Sequence, residues 1–371
     1  MGQATTSTRW KAAFTFKRCV ALFMVSTLAT LIVPGVLRPQ PASVAPYIGM
    51  AVTAIAASIF GLLLTRTSPQ GSARRVAVYG AAIASTQGPA IVSAVAALTN
   101  PERYALPAKP FADYWAPAIV VAWALLSLAA FYLVKTWRCA EGPRLNPAER
   151  RWTSPTRLGA AGAISVVGLV AALYVRGWLE AHLGVSLNPN TAAHGGTFAQ
   201  WLREIAAMVP AGFVEEPVFV GVAVLLWPWR TMNATRLIGI AALTSLARTL
   251  IHLYYASGQH GATQLAMVAV IALWCAIWST ANLLAVYLSK SLLPVMIVHG
   301  LYNLQITSNG DWAIGPTLSR FGVLCLAVIL VAGGLCGLPI LQQRLNDLEA
   351  KHRRQPPAEA PAEEPEAPQM H

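Results

Sequence analysis

The residues able to do acid–base chemistry in an apolar setting are few. The chain has 15 Asp and Glu, and only Glu204, Glu215 and Glu216 lie within apolar stretches. Glu204 stands beside Arg203 near the end of its stretch and reads as half of an interfacial pair. Glu215 and Glu216 sit mid-stretch, in Phe213-Val214-Glu215-Glu216-Pro217-Val218-Phe219-Val220-Gly221. A charge in hydrocarbon costs roughly 2.5–3.5 kcal/mol on insertion scales, so an ionisable residue there is a functional hypothesis by default. Two adjacent carboxylates at that depth need a cation or a proton, and a carboxylate so placed can act as a general base. Pro217 has no N–H, which leaves the Phe213 carbonyl without its partner four residues on.

Two further polar positions lie in later apolar stretches. His252 closes Ser245-Leu246-Ala247-Arg248-Thr249-Leu250-Ile251-His252, with Arg248 four residues earlier. His299 opens His299-Gly300-Leu301-Tyr302-Asn303, with Asn303 four residues later. Residues four apart share a helix face. A lone histidine in an apolar helix is most often a packed, neutral ring. A Glu pair, then a His, then a His with an amide, in three separate helices, form a stronger pattern. Membrane helices bury polar groups toward one another, not toward lipid, and one shared pocket satisfies them all. His182, His194 and His260 fall in or beside loops and His352 and His371 in the tail, and no role is assigned to them.

The elements that must position these side chains are membrane helices. Of 371 residues, 56% are hydrophobic and 11% charged, against roughly 25% charged in soluble domains. Apolar segments run over 19–37, 44–65, 76–98, 116–135, 157–179, 199–229, 235–256, 265–288, 294–308 and 320–341. Most approach the roughly 20 residues that cross a bilayer. The expected fold is all-α, a polytopic transmembrane bundle of about ten segments. This excludes a soluble enzyme, a secreted disulfide scaffold and a disordered chain. Continuous apolar blocks, rather than alternation, argue against a β-barrel. Five cysteines show no Cys-x-x-Cys or Cys/His spacing, so neither a disulfide framework nor a cysteine zinc site is indicated.

The net charge of +12 is topological information. Of 27 Lys and Arg, 20 fall in the N-terminus and in the loops after every second segment. By the positive-inside rule both termini are cytoplasmic in a multi-pass protein of the cell membrane, and no nucleic acid is needed as partner. The expected organisation has a basic cytoplasmic N-terminus (1–18), an accessory four-helix membrane region (19–135) and a basic cytoplasmic loop (136–156). A catalytic membrane domain (157–341) follows. The tail (342–371) is rich in Pro and Glu and is expected to be disordered.

The ordered motifs resemble those of one family. Glu-Glu-x-x-x-Arg, Phe-x-x-x-His and His-x-x-x-Asn in successive helices characterise the CPBP family of CAAX-processing and bacteriocin-processing intramembrane endopeptidases, also called Abi. Residues 199–308 carry the resemblance, including Tyr287-Leu288-Ser289-Lys290-Ser291-Leu292-Leu293-Pro294 leading into His299. Two positions depart from it. The family's Arg falls on Val220, and its Phe falls on Arg248. Val220 is four residues from Glu216, where an arginine would pair with that carboxylate. Arg248 is then expected to supply the missing guanidinium from the neighbouring helix.

The resemblance implies that Glu215 and His252 activate a water, that Glu216 orients the site, and that His299 and Asn303 stabilise the oxyanion. It implies a substrate that is a peptide or a lipid-modified protein at the bilayer. Metal-free catalysis is favoured, because the ligands come from separate helices and lack the His-Glu-x-x-His spacing. If a metal serves instead, Glu215, His252 and His299 would hold zinc, with water in the open position. Two other classes stay open at this point. One is a membrane protein that binds peptide without cutting it, such as an immunity protein. The other is a proton-coupled transporter. The segment count also makes the pocket lean toward the outer face, which suits an exported peptide.

Overall fold

The computed structural model describes residues 17–31, 45–65, 71–99, 116–141, 155–187, 198–228, 233–307 and 315–353. Every apolar segment read from the sequence is mainly helical over its described part, and no strand occurs among the described residues. The helices are α1 (17–31), α2 (Ala45–Thr65), α3 (Ser72–Thr99), α4 (Ala116–Glu141) and α5 (Pro155–Leu183). They continue as α6 (Phe198–Met208), α7 (Ala211–Glu216), a π-helical turn (Pro217–Val222) and α8 (Ala223–Leu226). The last four are α9 (Ala234–His252), α10 (Gly261–Ser289), α11 (Leu293–Thr307) and α12 (Gly315–Arg353). Among the described residues, eight helical stretches are long and apolar enough to span a membrane. The other two of the ten segments are α1 and the 15-residue α11.

The outer surface is apolar: Ile238, Leu246, Leu265, Val331 and Leu335 are all exposed. In water such a surface would associate; in a bilayer it meets acyl chains. Inside, α5 packs against α10 and α12. Gly168 meets Ala281, and Gly159 meets Gly333. Small residues allow this close backbone approach, the usual way membrane helices pack.

Two expectations change. The segment 199–229 is not one helix. Pro210 lacks an N–H and ends α6, whose last bond runs from Val209 N–H to the Ile205 carbonyl at 2.9 Å. A new start follows, with Phe213 N–H on the Pro210 carbonyl at 2.8 Å. Past its membrane stretch, α12 runs on through polar sequence to Arg353, beyond residue 341, where a polar tail was expected to begin. Gln342 and Asn346, one turn apart, hydrogen-bond at 3.0 Å and support the extension. Residues 1–16, 142–154 and 354–371, which hold most of the expected N-terminus, basic loop and tail, lie outside the described residues.

The break at Val209-Pro210 is where α11 docks. A Cβ on Gly212 would strike the Met296 carbonyl, and one on Gly300 would lie 2.9 Å from the Val209 carbonyl oxygen. These two glycines set the height of α11, and with it His299, against α7. Gly212→Val is therefore expected to destabilise the protein by about 1–3 kcal/mol, the usual range for overpacking. Gly239→Ala, whose methyl would meet nothing within 4 Å, is expected to be neutral or to stabilise by up to about 1 kcal/mol. Thermal unfolding of both variants in detergent checks the pair.

Candidate active site

Glu216 is 0% exposed and sits at the end of α7. Its Oε1 lies 2.8 Å from Arg248 Nη2 and 2.8 Å from His299 Nδ1. Its Oε2 accepts from Asn282 Nδ2 at 3.3 Å. The amide of Asn282 is itself fixed, because Ser165 Oγ donates to its Oδ1 at 2.7 Å. Side chains from α9, α10 and α11 therefore converge on one carboxylate, with Ser165 of α5 behind Asn282. Three donors, one of them a full cation, offset the desolvation that would otherwise forbid a charge here.

Arg248 is also 0% exposed. Its guanidinium carbon lies 4.8 Å from the Trp278 ring centroid and 5.5 Å from that of Phe219. Arginine tolerates such a niche better than lysine, since its planar, weakly hydrated head stacks on aromatic faces. The other face of the niche is histidine: the His299 ring centroid is 4.7 Å from that of Trp278. Trp278 thus packs against both Arg248 and His299, two of the groups bonded to Glu216. The Arg248 Nε and Nη1 atoms are buried and make no hydrogen bond.

His252 ends α9, one turn after Arg248. Its Nδ1 lies 2.8 Å from the Arg248 carbonyl oxygen. A carbonyl can only accept, so Nδ1 carries the hydrogen and Nε2 holds the free lone pair. The ring stacks near Tyr255, with centroids 5.7 Å apart, and meets Trp274 edge-on at 5.3 Å. Glu215 lies within electrostatic reach of His252, Arg248 and both Tyr254 and Tyr255. Its Oε2 is buried and has no hydrogen-bond partner. The two neighbouring carboxylates thus differ sharply: Glu216 is saturated, and Glu215 keeps an oxygen unengaged.

Asn303 stands apart from this cluster. Its Nδ2 donates to the Met208 carbonyl at 2.8 Å, which ties α11 to the end of α6. The structure therefore brings Glu215, Glu216, Arg248, His252 and His299 into one neighbourhood and gives Asn303 a backbone partner at its edge. The Glu204 side chain lies outside the described residues. Among the described residues, no three His, Cys, Asp or Glu side chains are grouped as one metal ion requires. The alternative zinc set of Glu215, His252 and His299 is not among such groups.

Asn282 and Ser165 were not predicted. Tyr79 and Gln87, whose side chains bond to the backbone around the Glu pair, were not predicted either. All four are uncharged, and a neutral polar residue in an apolar helix gives no signal comparable to an intramembrane acid.

Residues 197–305 match the type II CAAX prenyl endopeptidase Rce1-like family. That stretch runs from the start of α6 to near the end of α11 and holds every residue of the Glu216 cluster except Ser165. The match agrees with the resemblance read from the motifs and supports an intramembrane protease of the CAAX type. No curated protein and no solved structure matches the chain.

The Rce1-like segment departs from its motifs at Val220 and Arg248, and the geometry explains why both changes can coexist. Val220 is wholly buried in the apolar core, while the guanidinium against Glu216 arrives from α9. Removing one partner of a buried ion pair costs about 3–5 kcal/mol. Arg248→Phe should therefore lower stability by that order. Adding Val220→Arg, which restores a cation four residues from Glu216, should recover part of the loss. Chemical or thermal unfolding of the single and double variants tests this, and an Arg248→Phe protein as stable as wild type counts against it.

Proposed function

We propose that this protein is an intramembrane endopeptidase that hydrolyses a peptide bond in a membrane-associated or exported peptide or protein, CAAX-like or bacteriocin-like. The observation that carries the reading is the contrast within the Glu pair. Glu216 is held by three donors, whereas the Glu215 Oε2 is buried and unpartnered next to a histidine with a free Nε2.

In this reading Glu215 and His252 bind one water, and one of them takes its proton as the oxygen attacks the scissile carbonyl carbon. The C–N bond then breaks from the tetrahedral intermediate, and the same proton passes to the departing amine. Glu216 fixes Arg248 and His299. His299, held at Nδ1 by Glu216, acts on the oxyanion through its other ring nitrogen. Asn303, at the edge of the cluster, acts with His299 on the oxyanion. Preorganised donors of this kind are worth about 2.7–4 kcal/mol each in a dry site. A cytoplasmic location of both termini, as the charge distribution suggests, belongs to the same proposal.

The test is hydrolysis by the full chain in lipid nanodiscs, with a farnesylated CAAX peptide and its unmodified counterpart. Wild type should release the C-terminal fragment. Glu215→Gln and His252→Ala should each lower kcat by about 10²–10⁴-fold, the span of general acid–base catalysis, while folding normally. A peptide binder would tolerate Glu215→Gln, and its binding isotherm would be unchanged. Proton-dependent solute uptake without cleavage would point to transport instead. A chelator series separates the two hydrolytic chemistries. Unchanged rates support the glutamate mechanism; loss that zinc restores assigns Glu215, His252 and His299 as ligands.

A further inference from the structure

Outside the Rce1-like stretch, α3 makes the most specific contacts with the helix that carries the Glu pair. Tyr79 Oη donates to the Phe219 carbonyl at 2.9 Å. Gln87 Nε2 donates to the Val214 carbonyl at 3.1 Å. Both side chains are buried. The two carbonyls bracket the acids: Val214 directly precedes Glu215, and Phe219 lies three residues past Glu216. The order is antiparallel, the later residue of α3 meeting the earlier carbonyl.

These carbonyls flank a change of helical period. Pro217 supplies no N–H, and the turn from Pro217 to Val222 is π-helical. A switch from i+4 to i+5 pairing disrupts the ladder and rotates everything beyond it by about one residue, or roughly 100°. An unsatisfied backbone group in hydrocarbon costs several kcal/mol. Such a turn could slide along the helix, and each shift would swing Glu215 and Glu216 away from their partners. Two donors fixed on a separate helix prevent this, since each fits a carbonyl at one register only.

The donors are themselves braced. Gly88 packs against Thr53 of α2, with room for a Cβ only 3.0 Å from Thr53 Oγ1, and Gly49 of α2 lies under Pro89. Trp123 of α4 donates its indole N–H to the Thr86 carbonyl, next to Gln87. Gln87 Nε2 also lies 3.5 Å from Ser127 Oγ of α4.

We propose that Tyr79 and Gln87 are positioning residues for the Glu215–Glu216 pair, so that α3, outside the family segment, is part of the working site rather than an accessory. The assignment of a catalytic step to this pair rests on the hydrolase reading above; the fixing of register does not.

Two measurements on the full chain in nanodiscs test the proposal, using Tyr79→Phe, Gln87→Met and the double variant. The first is hydrogen–deuterium exchange without substrate. Exchange over 211–226 should rise by about five- to tenfold in each single variant, as expected for one lost hydrogen bond of about 1 kcal/mol, with α10 unchanged. The second is cleavage of the farnesylated peptide. There kcat per folded enzyme should fall by a similar factor, and multiplicatively in the double variant, with KM within twofold. Unchanged exchange over 211–226, or exchange that rises equally in every helix, overturns the proposal. So does a kcat that survives while only the folded fraction drops, which marks plain structural glue. If wild type cleaves nothing, the hydrolase reading fails, and the exchange data still decide whether α3 holds the register.

Discussion

A carboxylate and a guanidinium, each wholly removed from solvent, meet at 2.8 Å between α7 and α9. Taking both ions out of water is expensive, and their attraction repays it only when the geometry is good and further bonds satisfy the remaining atoms. The rest of the bundle is arranged around that demand. Asn282 and His299 occupy the remaining acceptor capacity of Glu216, and Ser165 fixes the amide that does so. Phe219 and Trp278 cover the cation. Break the pair and four helices lose the reason for their convergence.

The pair also frees its neighbour. With Arg248 and His299 bonded to Glu216, the buried Oε2 of Glu215 has no hydrogen-bond partner among the described residues. Two chemically identical side chains in succession thus acquire different partners from their surroundings alone. The nearby rings do two jobs. Trp274, Trp278 and Tyr255 exclude bulk water, and they fix the imidazoles at defined angles without competing for their nitrogens.

Much of this was legible in the sequence because the membrane makes charge conspicuous. Apolar length alone locates the helices, and an acid or imidazole within one stands out. The exchange of Val220 for an arginine at 248 pointed to a guanidinium arriving from α9, and the two groups touch. Other features were hidden for physical reasons. Val209-Pro210 interrupts a segment whose hydropathy is continuous, and hydropathy does not register a missing N–H. Ser165, Asn282, Tyr79 and Gln87 carry no charge, so nothing in composition separates them from packing residues. Two of them bind main-chain carbonyls, which have no sequence identity at all. The polar stretch beyond residue 341 resembles a loose tail in composition, yet its one-turn pairs continue α12.

Helix α11 carries His299 and is 15 residues long, about 22 Å at 1.5 Å per residue. The acyl region of a bilayer is about 30 Å thick. Its side chains are mostly buried among neighbouring helices, with Leu293 and Ile297 exposed. His299 lies near the middle of this helix and is itself buried. The height of that imidazole is therefore set by close backbone contact with protein neighbours rather than by the thickness of the bilayer.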